Sequence, residues 1–264
     1  MINKPVLLVD GDIILHRSAE AFTVSEATDD TGDEWRYVTD VKQAYFRVLD
    51  EVSDLIKEHG ANPCAIIALS SQPNWRLNVL PPYKGNRKAS AKPPGFKELK
   101  RRIGASRLTV VGKETLEGDD ILGILATEDR GIVDHAGDGP YTRRRDRIVW
   151  SPDKDLRGIP CTLIGGNGIP VEITEDEADL FHLMQALSGD VTDGYKGCPG
   201  VGMVTAEKIL RDLEPSRRWE AVVQRYQQQG LTEDDALVQA RVARICRSDD
   251  WDWQKREVIL WKSK

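Results

Sequence analysis

The sequence has no long apolar run. Its most hydrophobic stretches, PVLLV at 5–9 and AIIAL at 65–69, fall far short of the ~20 residues that a membrane-crossing helix needs, so no membrane association is expected. Cysteine is scarce and scattered. Cys64, Cys161, Cys198 and Cys246 have neither metal-finger nor redox-pair spacing, and they read as reduced thiols of a cytoplasmic protein, the host cytoplasm if the source is a phage. The histidines are only four, His16, His59, His135 and His182, with no thiol cluster near them, which argues against zinc. No nucleophile elbow and no histidine placed for a catalytic triad is visible. Internal repeats and low-complexity tracts are also missing. A strand-like run begins within a few residues of the start, so no signal peptide is expected.

What the chain does have is clustered acid. Its formal charge is −6, which at first argues against nucleic acid. Nine acids recur in short groups, however: Asp10, Asp12, Glu117, Asp119, Asp120, Asp153, Asp155, Asp190 and Asp193. Without them, 34 acids face 37 Lys and Arg. A negative chain can therefore offer phosphate a favourable surface, more so once divalent ions are bound.

Apolar runs ending in acids, alternating with helical patterns through roughly the first 190 residues, predict an α/β fold. Its central sheet is mainly parallel, with helices on both faces. PVLLVDGD reads as a buried strand delivering Asp10 and Asp12 at its C-terminal edge. Residues 21–40 suggest two strands around an Asp-Asp-Thr-Gly turn. The three-and-four spacing over 41–59 predicts a helix stopped by Gly60. CAIIALS, 107–111 and RIVWS are strand candidates, and CTLIGGNGIPVEI suggests a pair of edge strands. LEGDDILGILATED and 176–187 are helix candidates. The basic, proline-broken segment 74–103 is expected to form a long crossover rather than a core element, and GDGPYTRRRD a polar loop. The remainder is expected to be mostly helical, with REVILW as a returning strand.

Carboxylates at the C-terminal edge of a parallel sheet point into the usual ligand crevice of such folds. So many together repel unless cations neutralise them, and hard, all-oxygen donors suit Mg²⁺ or Mn²⁺. Ordinary alternatives stand beside this reading: Asp119 and Asp120 complementing a helix dipole, Asp12 capping local backbone, and Asp153 and Asp155 in a surface turn. Two ions would suffice for phosphodiester hydrolysis without a protein nucleophile. In PPYKGNRK, Lys84 and Arg87 are placed to neutralise a scissile phosphate and Tyr83 to support a base by stacking, with Lys88 extending the basic surface; a solvated basic loop is the alternative.

Taken in order, LLVDGD, NWRLNVLPPYKGNRK, LEGDDILGILA, WSPDKDL and GDVTDGYKGCPGVG…AEKIL resemble the structure-specific 5′ nuclease family of flap endonucleases and 5′–3′ exonucleases. They are most similar to the short enzymes of tailed bacteriophages. The resemblance covers nearly the whole chain. It implies a PIN-like nuclease core over 1–187, including a basic arch or clamp at about 82–106, and a mainly helical DNA-binding region over 188–264. It implies one metal group of Asp10, Glu117, Asp119, Asp120, Asp153 and Asp155, with Asp190 and Asp193 serving a second ion, and makes Lys84 and Arg87 the phosphate-facing pair. Residues 195–210 match the family's helix–three-turn–helix element, which grips duplex backbone with help from a monovalent cation such as K⁺. In it, Gly197, Gly200 and Gly202 would let backbone approach phosphate, and Lys196 and Lys208 would add contacts. The expected partners are duplex DNA with a free 5′ end, a 5′ flap or an RNA–DNA primer junction, together with replication proteins. The chain is expected to act as a monomer.

One departure stands out. The family carries an acid at the end of its second main strand, where this chain has Ser70 and Ser71; Asp12 and Ser71 are the candidates for an outer sphere there. Three other readings are weighed. A haloacid-dehalogenase-like phosphatase would use Asp10 and Asp12 but has no use for EGDD or YKGNRK, a PIN-like ribonuclease would share the acidic edge, and a catalytically silent branched-DNA-binding protein would follow from the missing acid.

Overall fold

The apolar run after Pro5 becomes β1 (Val6–Asp10), buried at every position. The computed structural model describes residues 4–28, 34–61, 65–86, 92–128 and 147–263. β1 pairs in parallel with β4 (Ile66–Ala68) on one side and β6 (Arg147–Trp150) on the other. β5 (Thr109–Val111) extends the sheet beyond β4, and β7 (Thr162–Ile164) beyond β6. The antiparallel β8 (Pro170–Glu172) closes that edge, giving the order β5-β4-β1-β6-β7-β8. The chain winds one way from β1 through β4 to β5 and then crosses back to β6. The order therefore reverses between β1 and β6, and the crevice for ligands opens there, beyond the strand ends.

Period-two alternation divides β1 between two cores. Leu7 and Val9 join Ile67, Trp150 and Ile164 under α1 (Gly11–Ala21), α2 (Val41–Glu58) and α4 (Phe96–Gly104). Val6 and Leu8 join Ile66, Ala68, Val149 and Leu163 under α5 (Gly118–Thr127) and the C-terminal segment that carries Trp251. A third core joins α6 (Glu175–Ser188), α7 (Met203–Leu210) and α8 (Pro215–Gln227) through Leu187, Leu210, Val222 and Tyr226, and α9 (Glu233–Ala243) packs on it through Ala236. No helix of the described residues is long and apolar enough to cross a membrane.

Two expectations are corrected. Segment 74–103 is not simply a crossover. It contains α3 (Arg76–Val79) and α4, whose Phe96, Leu99 and Ile103 recur at three-and-four spacing and are buried in the second core. The last part of the span assigned to an arch, α4, thus packs on the core. Near the C-terminus, β10 (Glu257–Val258) pairs with β9 (Trp251–Asp252) in a separate two-stranded sheet and, among the described residues, does not return to the central one. The expected strand pair around the Asp-Asp-Thr-Gly turn forms as β2 (Thr23–Ala27) and β3 (Trp35–Thr39), its tip lying outside the described residues, as does GDGPYTRRRD.

Candidate active site

Four segments bring acids to the C-terminal edge of the sheet. Asp10 ends β1 and caps α1, with Oδ1 accepting from Ile13 N at 3.3 Å. In register terms Ser151 follows the β6 residue opposite Val9, so its hydroxyl reaches Asp10 Oδ2 at 2.7 Å. The same hydroxyl accepts from Asp153 N at 3.1 Å. Asp153 then caps a 3-10 turn, Lys154–Gly158, by accepting from Asp155 N at 2.9 Å. Gln185 of α6 donates to Asp155 Oδ1 at 2.9 Å. Glu117 and Asp119 stand at the start of α5. Asp190 and Asp193 belong to a turn in which Asp190 Oδ1 accepts from Thr192 N and Asp193 N, pinned by the Asp190–Tyr195 bridge.

The electrostatics show that these acids crowd one another. Burial, helped by Asp12 and Asp153, raises Asp10 to about 6. Asp119 is held well above the ordinary carboxylate range by burial and then by Asp10, Glu117 and Asp153. Asp155 rises to about 6 through burial and Asp153, with Asp190 and Asp193 adding to it. Burial, reinforced by Asp155, Asp190 and Asp193, also pushes the Tyr195 hydroxyl up. A cavity of ≈ 20 Å³ lies among Glu117, Asp119, Asp155, Asp193, Gln185 and Tyr195.

The basic turn is hooked directly onto this edge. Lys84 has φ +54, unusual for a residue with a side chain, and its N–H donates to Asp193 O at 2.7 Å. Its ammonium lies 2.5 Å from Glu117 Oε1 and 3.5 Å from Asp193 Oδ2. Asn86 Nδ2 donates to Val191 O at 2.6 Å. Tyr83 is only 4% exposed, and its hydroxyl contacts Glu117 Oε2 at 3.0 Å and Asp193 Oδ2 at 2.8 Å. That burial removes it from the base-stacking role expected from sequence. Arg87 and Lys88 lie outside the described residues.

Asp120 departs from the expected ligand set. Successive helical residues point ~100° apart, and while Asp119 belongs to the acid edge, Asp120 turns inward onto Arg76. Both of its oxygens are occupied by Arg76, Trp75, Glu117 N and Cys246 N. Burial alone would raise it, but the Arg76 charge and these hydrogen bonds hold its carboxyl below the ordinary range. Asp12 Oδ2 accepts from Ser70 N at 2.7 Å, with Lys100 3.5 Å from Oδ1, so it secures the end of β4. Ser70, not Ser71, meets the start of α5, accepting from Gly118 N at 2.9 Å. Ser71 N bonds Leu116 O instead.

The glycines also divide. Gly197 N donates to Gln239 Oε1 at 2.8 Å, and a Cβ on Gly197 would stand 2.3 Å from Gly189 N. Close backbone packing, not phosphate approach, accounts for this glycine. Gly200 and Gly202 face open space before α7, and Lys196 and Lys208 are exposed. Sequence reasoning gave no role to Arg76, Trp75, Ser151 or Gln185, and it read Lys100 only as part of the basic surface. The first two lie in the quoted NWR run, the one signal that pointed to them.

Among the described residues no three Asp, Glu, His or Cys side chains stand close enough together to hold a metal ion as they are placed. The donor set nevertheless fits hard divalent cations. It is all oxygen, neighbouring carboxylates add to burial in raising Asp10, Asp119 and Asp155, and it draws the Lys84 ammonium between Glu117 and Asp193.

The family described as "5′-3′ exonuclease, N-terminal resolvase-like domain" matches residues 5–159. The exonuclease of Escherichia phage T7 is 27% identical over 299 aligned positions, covering 98% of this chain and 94% of that protein. The exodeoxyribonuclease of Enterobacteria phage T3 is 26% identical, with 98% and 93% covered. Among solved structures, the T5 5′-exonuclease with divalent metal ions (zinc) bound superposes with a TM-score of 0.59 at 15% identity, covering 90% of this chain and 93% of that one. The bacteriophage T5 flap endonuclease in a pseudo-enzyme-product complex with DNA and metal ions gives a TM-score of 0.63 at 15% identity, covering 90% and 88%. These two likenesses show the fold, a mainly parallel sheet flanked by helices. The chain belongs to the 5′–3′ exonuclease family and is a nuclease of that family.

Proposed function

We propose that this protein hydrolyses phosphodiester bonds at or near DNA 5′ ends with two divalent ions, Mg²⁺ or Mn²⁺, as a 5′–3′ exonuclease that also cuts 5′ flaps. The observation that carries this reading is the gathering of Asp10, Glu117, Asp119, Asp153, Asp155, Asp190 and Asp193 at the switch point of the sheet, with Lys84 hooked over them. Asp10, Glu117, Asp119 and Asp153 would hold one ion, and Asp155, Asp190 and Asp193 the other. When bound, such ions activate the attacking water and offset charge on phosphate and leaving oxygen. Of the chain's own groups, Ser151 and Gln185 orient Asp10 and Asp155, while Lys84 carries the positive charge that meets the scissile phosphate, with Arg87 and Lys88 continuing it.

The open backbone at Gly200 and Gly202, the α7 N-terminus, Lys196 and Lys208 form the duplex grip in this reading, the helix–three-turn–helix element with its K⁺. Such contacts read backbone, so cleavage depends on DNA end structure rather than sequence. RNA-primer removal, recruitment by replication proteins, action as a monomer and residence in the host cytoplasm belong to the same proposal. Mg²⁺-dependent cleavage of a 5′-labelled flap duplex and a blunt duplex tests it, with the single-strand oligomer and Asp153→Ala as controls. Short 5′ products that disappear in Asp153→Ala support the proposal. Structure-selective binding without turnover in Mg²⁺ or Mn²⁺ refutes it and makes the chain a branched-DNA-binding protein.

A further inference from the structure

Arg76 is almost entirely buried, its side chain at 3% exposure, and all five of its side-chain N–H donors are used. Nε donates to Val242 O at 2.9 Å. Nη1 donates to Asp120 Oδ2 at 2.8 Å and Glu117 Oε2 at 3.1 Å. Nη2 donates to Asp120 Oδ1 at 2.8 Å and Arg244 O at 2.6 Å. Asp120 is equally saturated, accepting in addition from Trp75 Nε1 at 3.0 Å, Cys246 N at 3.0 Å and Glu117 N at 3.2 Å. The guanidinium also lies 4.5 Å from the centre of the Trp75 ring.

A buried ion pair of this kind is costly to desolvate, and replacing it with apolar side chains is often neutral for stability. Stability alone therefore does not account for it, but geometry does. The pair joins the strap that follows β4, the first turn of α5 and the chain leaving α9. It anchors Asp120 inward, which leaves the adjoining Asp119 at the acid edge, and it holds Glu117 directly.

We propose that Arg76 and Asp120 are positioning residues that set the divalent-metal affinity of the acid edge by fixing the aim of Glu117 and Asp119. The inference rests on the nuclease reading above. The same guanidinium takes two carbonyls from residues 242–244, so the C-terminal helical region is tied to the acid edge through this joint.

The test measures Mn²⁺ binding to the full chain by electron paramagnetic resonance, beside far-UV circular dichroism in EDTA and nuclease assays over a Mn²⁺ titration. Arg76→Lys and Asp120→Asn are expected to keep the parent's fold and its number of bound ions. Their Mn²⁺ dissociation constants are expected to rise about 10- to 100-fold, the range for residues that orient metal ligands, with turnover recovering at high Mn²⁺. Asp119→Asn is the contrast, losing an ion and not recovering. A folded Arg76→Lys protein with unchanged Mn²⁺ affinity overturns the proposal. So does an Asp120→Asn protein that binds one ion fewer, since Asp120 would then be a ligand. Should Arg76→Lys fail to fold, Trp75→Phe removes a single donor to Asp120; a smaller rise supports the proposal and no rise overturns it. A parent protein that binds no Mn²⁺ overturns the nuclease reading itself.

Discussion

Gly197→Ala and Gly200→Ala look alike in sequence and should behave differently. Both glycines have positive φ, +65° and +74°, so either alanine costs about 1–2 kcal/mol of backbone strain. At Gly200 nothing lies within 4 Å of the added Cβ, and the cost ends there. At Gly197 the Cβ would stand 2.3 Å from Gly189 N, 2.5 Å from Leu187 O and 2.5 Å from Ser188 C. All three are backbone atoms at the end of α6, and relieving the overlap means shifting that helix end, for about 1–3 kcal/mol more. The totals are about 2–5 against about 1–2 kcal/mol. At roughly 2–4 °C per kcal/mol for a chain of this size, Gly197→Ala should lower the thermal midpoint by on the order of 10 °C and Gly200→Ala by about 4 °C. Melts followed by circular dichroism in EDTA measure both. Because Asp190 and Asp193 ride on the displaced turn, Gly197→Ala should also lose Mg²⁺-dependent cleavage, whereas Gly200→Ala should mainly weaken duplex binding. Equal midpoint shifts for the two variants would refute the packing argument.

Asp10→Asn should abolish nuclease activity yet raise the thermal midpoint at pH 8 in EDTA. A carboxylate raised from 3.8 to about 6 favours the folded state less once ionised, so its stability is highest at low pH and lost as pH rises through that window. The loss is on the order of 3 kcal/mol at pH 8, and asparagine removes it; a lower midpoint would contradict the crowding of the acids. His182 runs the other way. Buried on α6 with Nε2 donating to Ala240 O at 2.7 Å, it falls to about 3, chiefly through burial and then Arg244. Its contribution is complete above the unfolded value of 6.5 and lost as pH falls toward 3. Between pH 7 and pH 5 the parent should therefore lose about 2 kcal/mol more than His182→Gln in urea unfolding. Parallel pH profiles for the two proteins would refute this assignment.

Much of the architecture was legible in the sequence because it is written in short-range patterns. Val6–Asp10 is a continuous apolar run ending in an acid, and α2 follows a three-and-four stripe between Asp40 and Gly60. The acid groups were equally visible, since carboxylates after strand ends need no long-range information once the sheet is parallel. α4 was missed because prolines and lysines around it masked the Phe96, Leu99 and Ile103 stripe. The site was only half visible. Sequence spacing placed Asp119 and Asp120 together, and it could not tell which would face the acid edge. That choice depends on Arg76, 44 residues away from Asp120 along the chain, and on Cys246, 126 residues away. Gly197 and Gly200 read alike until Gly189 packs against one of them. Tyr83 read as a surface aromatic until Glu117 and Asp193 took its hydroxyl. The sequence by itself determined which segments are strands and helices and where acid accumulates, because hydrophobic period and strand ends are local properties. Only the tertiary structure decided which carboxylates are free to face a cation and which are spent on an arginine, because hydrogen-bond partners in a buried site are chosen by proximity in space.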